Sequence, residues 1–392
     1  MKPFLYIGLL FILLISTGCW DRTEINDIAF VMGTAMDLTE DGKILGTVQI
    51  AIPPSEEGNA GGGGEHQNFF VLSATGKNSS EVIRNLQDRL SRRLFYAHRS
   101  VVFIGEPLAK RGIKDVLDHF SRDPRSRLRT FIMVAKGTEG REMLDIHYPF
   151  ELASAEAARE LEVSRVGLGV TMRDLFMAAT SEGINPVIGV IEPTIPSKGM
   201  SERKDQIFRL AGTAVLKDYK MVGFLSNKES RGLMWLTDKM KVGRISATLP
   251  EGKGNVGMLI TGTKRTITPI IKGRKVAFHI RLQGNGTLQE NNTNLDVGQL
   301  KILKRVQKAL ESTVEEEVRE VLAKVQKKYK VDVVGFGQTI YREQPKQWKM
   351  VKEQWDKQFP DADFSITVEL SIESSGMAGP PLLLKEKEIE ME

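Results

Sequence analysis

The spacing of apolar residues divides this chain into stretches of period two, stretches of period three to four, and a few with neither. Residues 28–37 and 43–52 read as strands joined by an Asp41-Gly42 turn, and 68–74 resumes as a third strand. Between them lie Pro53-Pro54 and the run 55–67, which holds four consecutive glycines from Gly61 to Gly64. That run has few side chains to bury, so a mobile hairpin tip is predicted. The pattern then alternates. A helix is predicted from Ser79 to about Arg92, with Val82, Ile83, Leu86 and Leu90 on one face. A strand at 99–104, a helix opened by Pro107 and running to Phe120, and a strand at 128–135 follow. Helices at 150–162 and 171–181 and an extended stretch at 188–193 complete this half. Strands separated by helices after an antiparallel start predict a mixed sheet with helices packed on it. The charged run 201–206 is predicted to be a linker.

Past that linker, 210–217 and 221–225 flank Asp218-Tyr219-Lys220 as a tight hairpin, and 227–236 reads as helical despite Gly232. Strand-like runs at 257–271 and 275–283 are separated by the turn Lys272-Gly273-Arg274. The longest helix is predicted over 297–329. Leu303, Val306, Leu310, Val314, Val318, Val321 and Val325 form its one apolar stripe. Its other faces are basic at both ends and acidic in the middle, at Glu315, Glu316 and Glu317. Such charges read as a solvated face, with a docking site for a charged partner as the other reading. A strand at 331–337, a helix at 345–358 whose Trp348 and Trp355 share a core-facing side, and a closing strand at 364–372 follow. The residues from 374 onward read as a polar, partly disordered tail.

These elements predict an elongated α+β protein with mixed sheets, helices packed on them and a long helix near the C-terminus. The expected division is a leader at 1–18, an N-terminal α/β mixed-sheet domain at 19–200 and a small middle hairpin-and-helix domain at 207–270. A C-terminal α+β domain at 271–375 and a tail at 376–392 follow. Removing the leader leaves about 370 residues, more than a single hydrophobic core usually spans. The apolar and charged fractions, 41% and 27%, are those of an ordinary folded protein. A net charge of +5, spread along the chain, suits an anionic lipid surface but is too dilute to argue nucleic-acid binding.

The leader changes this picture most. Lys2 precedes an apolar run from Phe4 to Ile15, which is followed by the small residues Ser16, Thr17 and Gly18 and then by Cys19. This is the three-part arrangement of an export signal, and the run is too short to cross a bilayer. Cys19 is the one cysteine in the chain, so it forms no internal disulfide. Its place after Gly18 predicts cleavage before it and a diacylglycerol thioether on its sulfur. Two acyl chains anchor stably where one does not.

Little else carries chemistry. The histidines His66, His98, His119, His147 and His279 share no metal-ligand spacing. The glycines at 61–64 lack the Gly-Lys-Ser/Thr of a phosphate loop, and Gly167-Leu168-Gly169 lacks the third glycine of a dinucleotide site. Ser201-x-x-Lys204 matches a serine-activating pair but sits in the polar linker. No catalytic, metal or cofactor residue is assigned, and the chain reads as a tethered binding or assembly protein rather than an enzyme.

The residues Gly18-Cys19-Trp20-Asp21-Arg22, Glu24-Ile25 and the 98–109 segment with Gly105-Glu106 form one set of signatures. Ala211-Gly212-Thr213-Ala214-Val215, Gly223-Phe224-Leu225 and Glu229-Ser230-Arg231-Gly232-Leu233 form a second. Tyr329, Asp332, Gly335-Phe336-Gly337, Tyr341-Arg342, Trp348 and Trp355 form a third. Together they resemble the Ger(x)C spore-germination lipoproteins, the C subunits of nutrient germinant receptors in spore-forming bacteria. The resemblance implies a lipid-anchored, non-enzymatic receptor subunit of three mixed α and β domains on the outer face of the spore inner membrane. There it would act with a multi-pass A subunit and a transporter-like B subunit in nutrient-triggered germination. Only Cys19 is implied to have a defined chemical role. The alternative is a solute-binding lipoprotein that delivers a small molecule to a transporter, but the C-terminal half does not repeat the N-terminal pattern as two similar lobes would.

Overall fold

The computed structural model describes residues 24–53, 68–164, 167–195, 206–273 and 275–375. The expected hairpin tip at 55–67, the linker up to residue 205, the tail from 376 and Cys19 all lie outside the described residues.

Strands β1 (Ile28–Leu38), β2 (Ile44–Ala51) and β3 (Phe69–Gly76) pair antiparallel, as their alternation predicts. Helix α1 (Ser79–Gln87) follows, capped by the Asn78 side chain rather than by a serine, and the short β4 (Arg93–Phe95) runs parallel to the start of β1. From β1 the sheet continues in parallel through β5 (Val101–Gly105), β6 (Phe131–Ala135) and β7 (Val187–Thr194). It then turns antiparallel again through β8 (Ile207–Lys217) and β9 (Lys220–Leu225). The order is β3-β2-β1-β5-β6-β7-β8-β9, a mixed sheet as expected.

All five residues of β5 are buried because both faces of the sheet are covered. Val102 and Ile104 join a core that includes Leu108 of α2 (Glu106–Arg111) and Leu117 and Phe120 of α3 (Lys114–Arg122). Val101 and Phe103 face the other way, onto Met143 and Leu144 of α4 (Gly140–Asp145) and the alanines of α5 (Ser154–Val163). The single helix expected after Pro107 is two helices, because Gly112 takes φ +126° between α2 and α3. Helix α6 (Met172–Thr180) starts where Thr171 and Asp174 form a capping box.

Helix α7 (Asn227–Leu236) leads into a second, four-stranded sheet. Its strands β10 (Gly243–Leu249), β11 (Gly254–Lys272) and β12 (Lys275–Asn291) are antiparallel, and β13 (Asp363–Ser374) runs parallel to β12 at its edge. Residues 207–270, expected as a unit of their own, are therefore shared. The first hairpin hydrogen-bonds to β7 of the large sheet, while β10 and β11 open the second.

The long helix α8 (Leu300–Ala323) continues as a π-turn over Lys324–Tyr329. Ile302, Val306, Leu310, Val314, Val318, Val321 and Val325 are fully buried along it, while Leu303 sits at the edge of the stripe. The stripe packs on β10, β13 and α7. Residues 331–337 correct the expectation of a strand: the chain turns there and enters α9 (Phe336–Glu343). Valines 331, 333 and 334 are buried as the apolar pattern required, but Asp332 among them and the left-handed Gly335 after them set a cap instead of a ladder. Val333 therefore does not belong to the sheet under the helix. Helices α10 (Pro345–Val351) and α11 (Trp355–Gln358) replace the one predicted helix, and their Trp348 and Trp355 rings meet edge to face at 5.9 Å in the core.

Candidate functional site

Many residues of the second and third signature sets lie at the seam between the two sheets. Where α7 crosses α8, a Cβ on Gly232 would stand 2.5 Å from the Glu317 carbonyl oxygen, so only glycine lets the backbones approach this closely. Around that point Arg231 pairs with Glu317 at 2.7 Å, Lys228 with Glu320 at 2.6 Å, and Lys324 with Glu229 at 2.7 Å. Glu229 also closes the capping box of α7 with Ser226, and Ser230 shares a hydroxyl hydrogen bond of 2.8 Å with Thr213 of β8. Tyr329 lies over Gly223 and donates to the Phe224 carbonyl at 2.8 Å. The long helix is thereby held to the last strand of the large sheet as well as to its own.

Asp332 makes the second tie. Its carboxylate accepts from the backbone N–H groups of Val334, Gly335, Phe336 and Gly337 at 3.2, 2.8, 3.2 and 2.8 Å, and from the Trp355 indole at 3.2 Å. Gly335 makes this wrap possible at φ +86°. The backbone of the same segment reaches the N-terminal half: Asn185 N–H donates to the Asp332 carbonyl at 2.7 Å and Gln338 N–H to the Gly183 carbonyl at 2.9 Å. Gly183 and Gly337 touch backbone to backbone, and the Trp348 indole donates to Glu182. Burial pushes the Asp332 carboxyl up to about 6, against the pull of the Gly337, Gly335 and Phe336 N–H groups and the Trp355 indole.

Two more carboxylates are buried inside the large sheet's layers. Asp37 accepts from the N–H groups of Gly140 and Arg141 at 2.7 and 3.0 Å, and burial raises it to about 6. A Cβ on Gly105 would meet that carboxylate at 2.2 Å, which accounts for glycine at this signature position. Glu162 accepts from Gly169 N–H at 2.9 Å and rests on Gly167 and Gly189; burial raises it to about 7. The glycine pair at 167 and 169 thus wraps a buried glutamate.

The acidic run on α8 is not uniformly solvated. Glu316 is exposed, but Glu317 is buried against Arg231, and Glu315 pairs with Arg319 along the helix. Periodicity alone could have placed Glu317, since it neighbours Val318 and Val314 on the buried side.

The described histidines do not come together. His98 packs edge-on to Phe30, His147 lies over Phe69, and His279 hydrogen-bonds Ser365 at 3.0 Å. His119 lines an open, polar cleft of about 880 Å³, where α1, α3 and the β8–β9 turn meet. Its walls carry both signs, with Lys77, Arg111, Lys114 and Arg125 facing Asp115, Asp118 and Asp123. Sequence reasoning missed this cleft because its residues come from four separate segments. Ser201 and Lys204 lie outside the described residues, and among the described residues no three His, Cys, Asp or Glu side chains are grouped to hold a metal.

Two mixed sheets are thus locked through a long helix, with side-chain hydrogen bonds at the lock. Residues 21–193 match the family model described as the spore germination protein N-terminal domain, and residues 211–376 match the one described as spore germination B3/GerAC like, C-terminal. The chain belongs to this family of spore germination proteins. It is 28% identical to spore germination protein KC of Bacillus subtilis (strain 168), over 97% of this chain and 98% of the relative. It is likewise 28% identical to spore germination protein B3 of the same organism, over 94% and 97%. GerQC of Bacillus cereus is 23% identical over 96% and 99%. The fold is that of the GerBC protein's crystal structure, with a TM-score of 0.58 and 22% identity, covering 90% of this chain and 100% of that one.

Proposed function

We propose that the chain is the lipid-anchored, non-catalytic C subunit of a nutrient germinant receptor, held on the outer face of the spore inner membrane through Cys19. Its partners in this reading are a multi-pass A subunit and a transporter-like B subunit. The observation that carries the proposal is the family match along nearly the whole chain, joined to a fold whose signature residues build an internal joint. A joint of this kind fixes the relative placement of two surfaces, which is what an assembly subunit requires. No described helix is long and apolar enough to cross a membrane, so in this reading the anchor is the acylated cysteine. Mass spectrometry of the mature N-terminus tests the anchor directly. A diacylated Cys19 as first residue is expected, and Cys19→Ala should leave the protein in the soluble fraction or with an uncut leader. An unmodified cysteine, or a different first residue, would overturn it.

A further inference from the structure

Strands β1, β5 and β6 run parallel, so their first residues share one end of the large sheet. The described chain enters at that end: Glu24 precedes the 3₁₀ turn Ile25–Asp27, which leads directly into β1. Cys19 lies five residues before Glu24. Fully extended, that stretch reaches at most about 18 Å. With Cys19 acylated as proposed above, on which this inference rests, the start of β1 is tied within that distance of the bilayer.

The side chains at this end suit an anionic lipid surface. Arg93 opens β4 beside Ile28, with Arg92 just before it. Arg127, Leu128 and Arg129 lie just before Phe131, which starts β6 beside Val101. Arg173 joins them, donating its backbone N–H to the Leu128 carbonyl at 3.0 Å. All five arginines are exposed, and none is ion-paired among the described residues. The acids on the same rim are fewer: Glu24, Asp27 and Asp88 are exposed, while Asp123 is engaged by Arg125 at 2.9 Å. Near the far end of the same strands Lys43, Lys110 and Lys136 are instead each held by a carboxylate, at 2.6, 2.6 and 3.1 Å. Two apolar side chains interrupt the arginines: Ile25 is 72% and Leu128 52% exposed. Apolar groups flanked by arginines match the boundary of a bilayer, where the apolar group enters and the guanidinium stays with the headgroups.

We propose that this rim is a second membrane contact, docking the large sheet end-on against anionic phospholipid. Ile25 and Leu128 enter the interface and the arginines pair with lipid phosphates. The tether and the rim together hold the body in one orientation, where a tether alone would let it swing.

The test places the full mature chain in vesicles and labels one introduced cysteine with an environment-sensitive dye. Cys19 is bound through its sulfur in this reading, so Leu128→Cys or Glu40→Cys supplies the one free thiol. Glu40 is exposed in the turn after β1. The 11 residues of β1 put that turn roughly 36 Å from the start of the strand. Proximity of residue 128 to lipid is not forced by the tether, since more than a hundred residues separate it from Cys19. In vesicles containing phosphatidylglycerol the dye at 128 should shift to the blue and resist quenching by acrylamide, while the dye at 40 is quenched freely. In phosphatidylcholine vesicles the two should be quenched alike. Each arginine near an anionic surface strengthens binding about fivefold. Arg127→Gln with Arg129→Gln, at two exposed positions, should therefore weaken the contact about 25-fold and restore quenching at 128, with the chain still floating with the vesicles. Two dyes per chain would mean a free Cys19 and would overturn the anchor together with the orientation it imposes. One dye per chain with equal quenching at 128 and 40 in anionic vesicles, or protection at 128 that survives the arginine substitutions, would overturn the rim alone.

Discussion

Glu162 shows how much a single residue can carry that its sequence context hides. Nothing in the Ala-rich run 153–158 announces a buried acid, yet Gly167, Gly169 and Gly189 all give way to this one carboxylate. Its folded pKa of about 7 lies above the ordinary 4.5, so the folded chain keeps the proton where the unfolded chain has lost it. The stability it contributes is fully present below about pH 4.5 and is lost as pH rises through about 7. Glu162→Gln removes that dependence. Denaturant melts of both proteins should show the stability difference moving toward the variant by on the order of 3 kcal/mol between about pH 4 and pH 8. A constant difference would mean that Glu162 titrates normally. Asp332 was similarly opaque. Its apolar neighbours Val331, Val333 and Val334 read as a strand, because burial of alternate valines looks alike whether the backbone is extended or coiled around a carboxylate. The φ +86° of Gly335 is the feature that decides it, and a Gly-Phe-Gly sequence alone does not announce that.

At the scale of elements the sequence was most legible where one face is buried. The long helix, its apolar stripe and the hairpin at Asp218-Tyr219, both in left-handed conformations, appear as their patterns require. Short elements escaped: β4, β10 and α4 are too brief or too mixed in pattern to register. The acidic middle of α8 separates two kinds of charge and gives a direct comparison. Glu317→Lys would place a buried ammonium beside Arg231 under the α7 crossing, which should destabilise the protein by about 3–5 kcal/mol. Glu316→Lys, at an exposed position on the same turn, should change stability by no more than about 0.5 kcal/mol. Chemical denaturation of the two variants checks this. Equal effects would show that Arg231 and Glu317 are not a structural pair.

For the whole molecule, the sequence disclosed the mixed sheets and the class, but not the joint that unites them. That joint depends on contacts between residues far apart in the chain, such as Gly183 with Gly337 and Phe224 with Tyr329. The consequence is that residues 207–225, which follow the expected linker, complete the large sheet instead of starting a new unit. In the function proposed above, a body locked in this way acts through its surfaces and its anchor. The central claim is therefore one of assembly on a membrane, and co-purification from detergent-solubilised spore membranes tests it most directly. With the full chain as bait, a multi-pass membrane protein and a transporter-like membrane protein should be recovered together with it. Recovery of the chain alone, with a small molecule bound and delivered to a separate transporter, would contradict the account and favour a solute-binding lipoprotein.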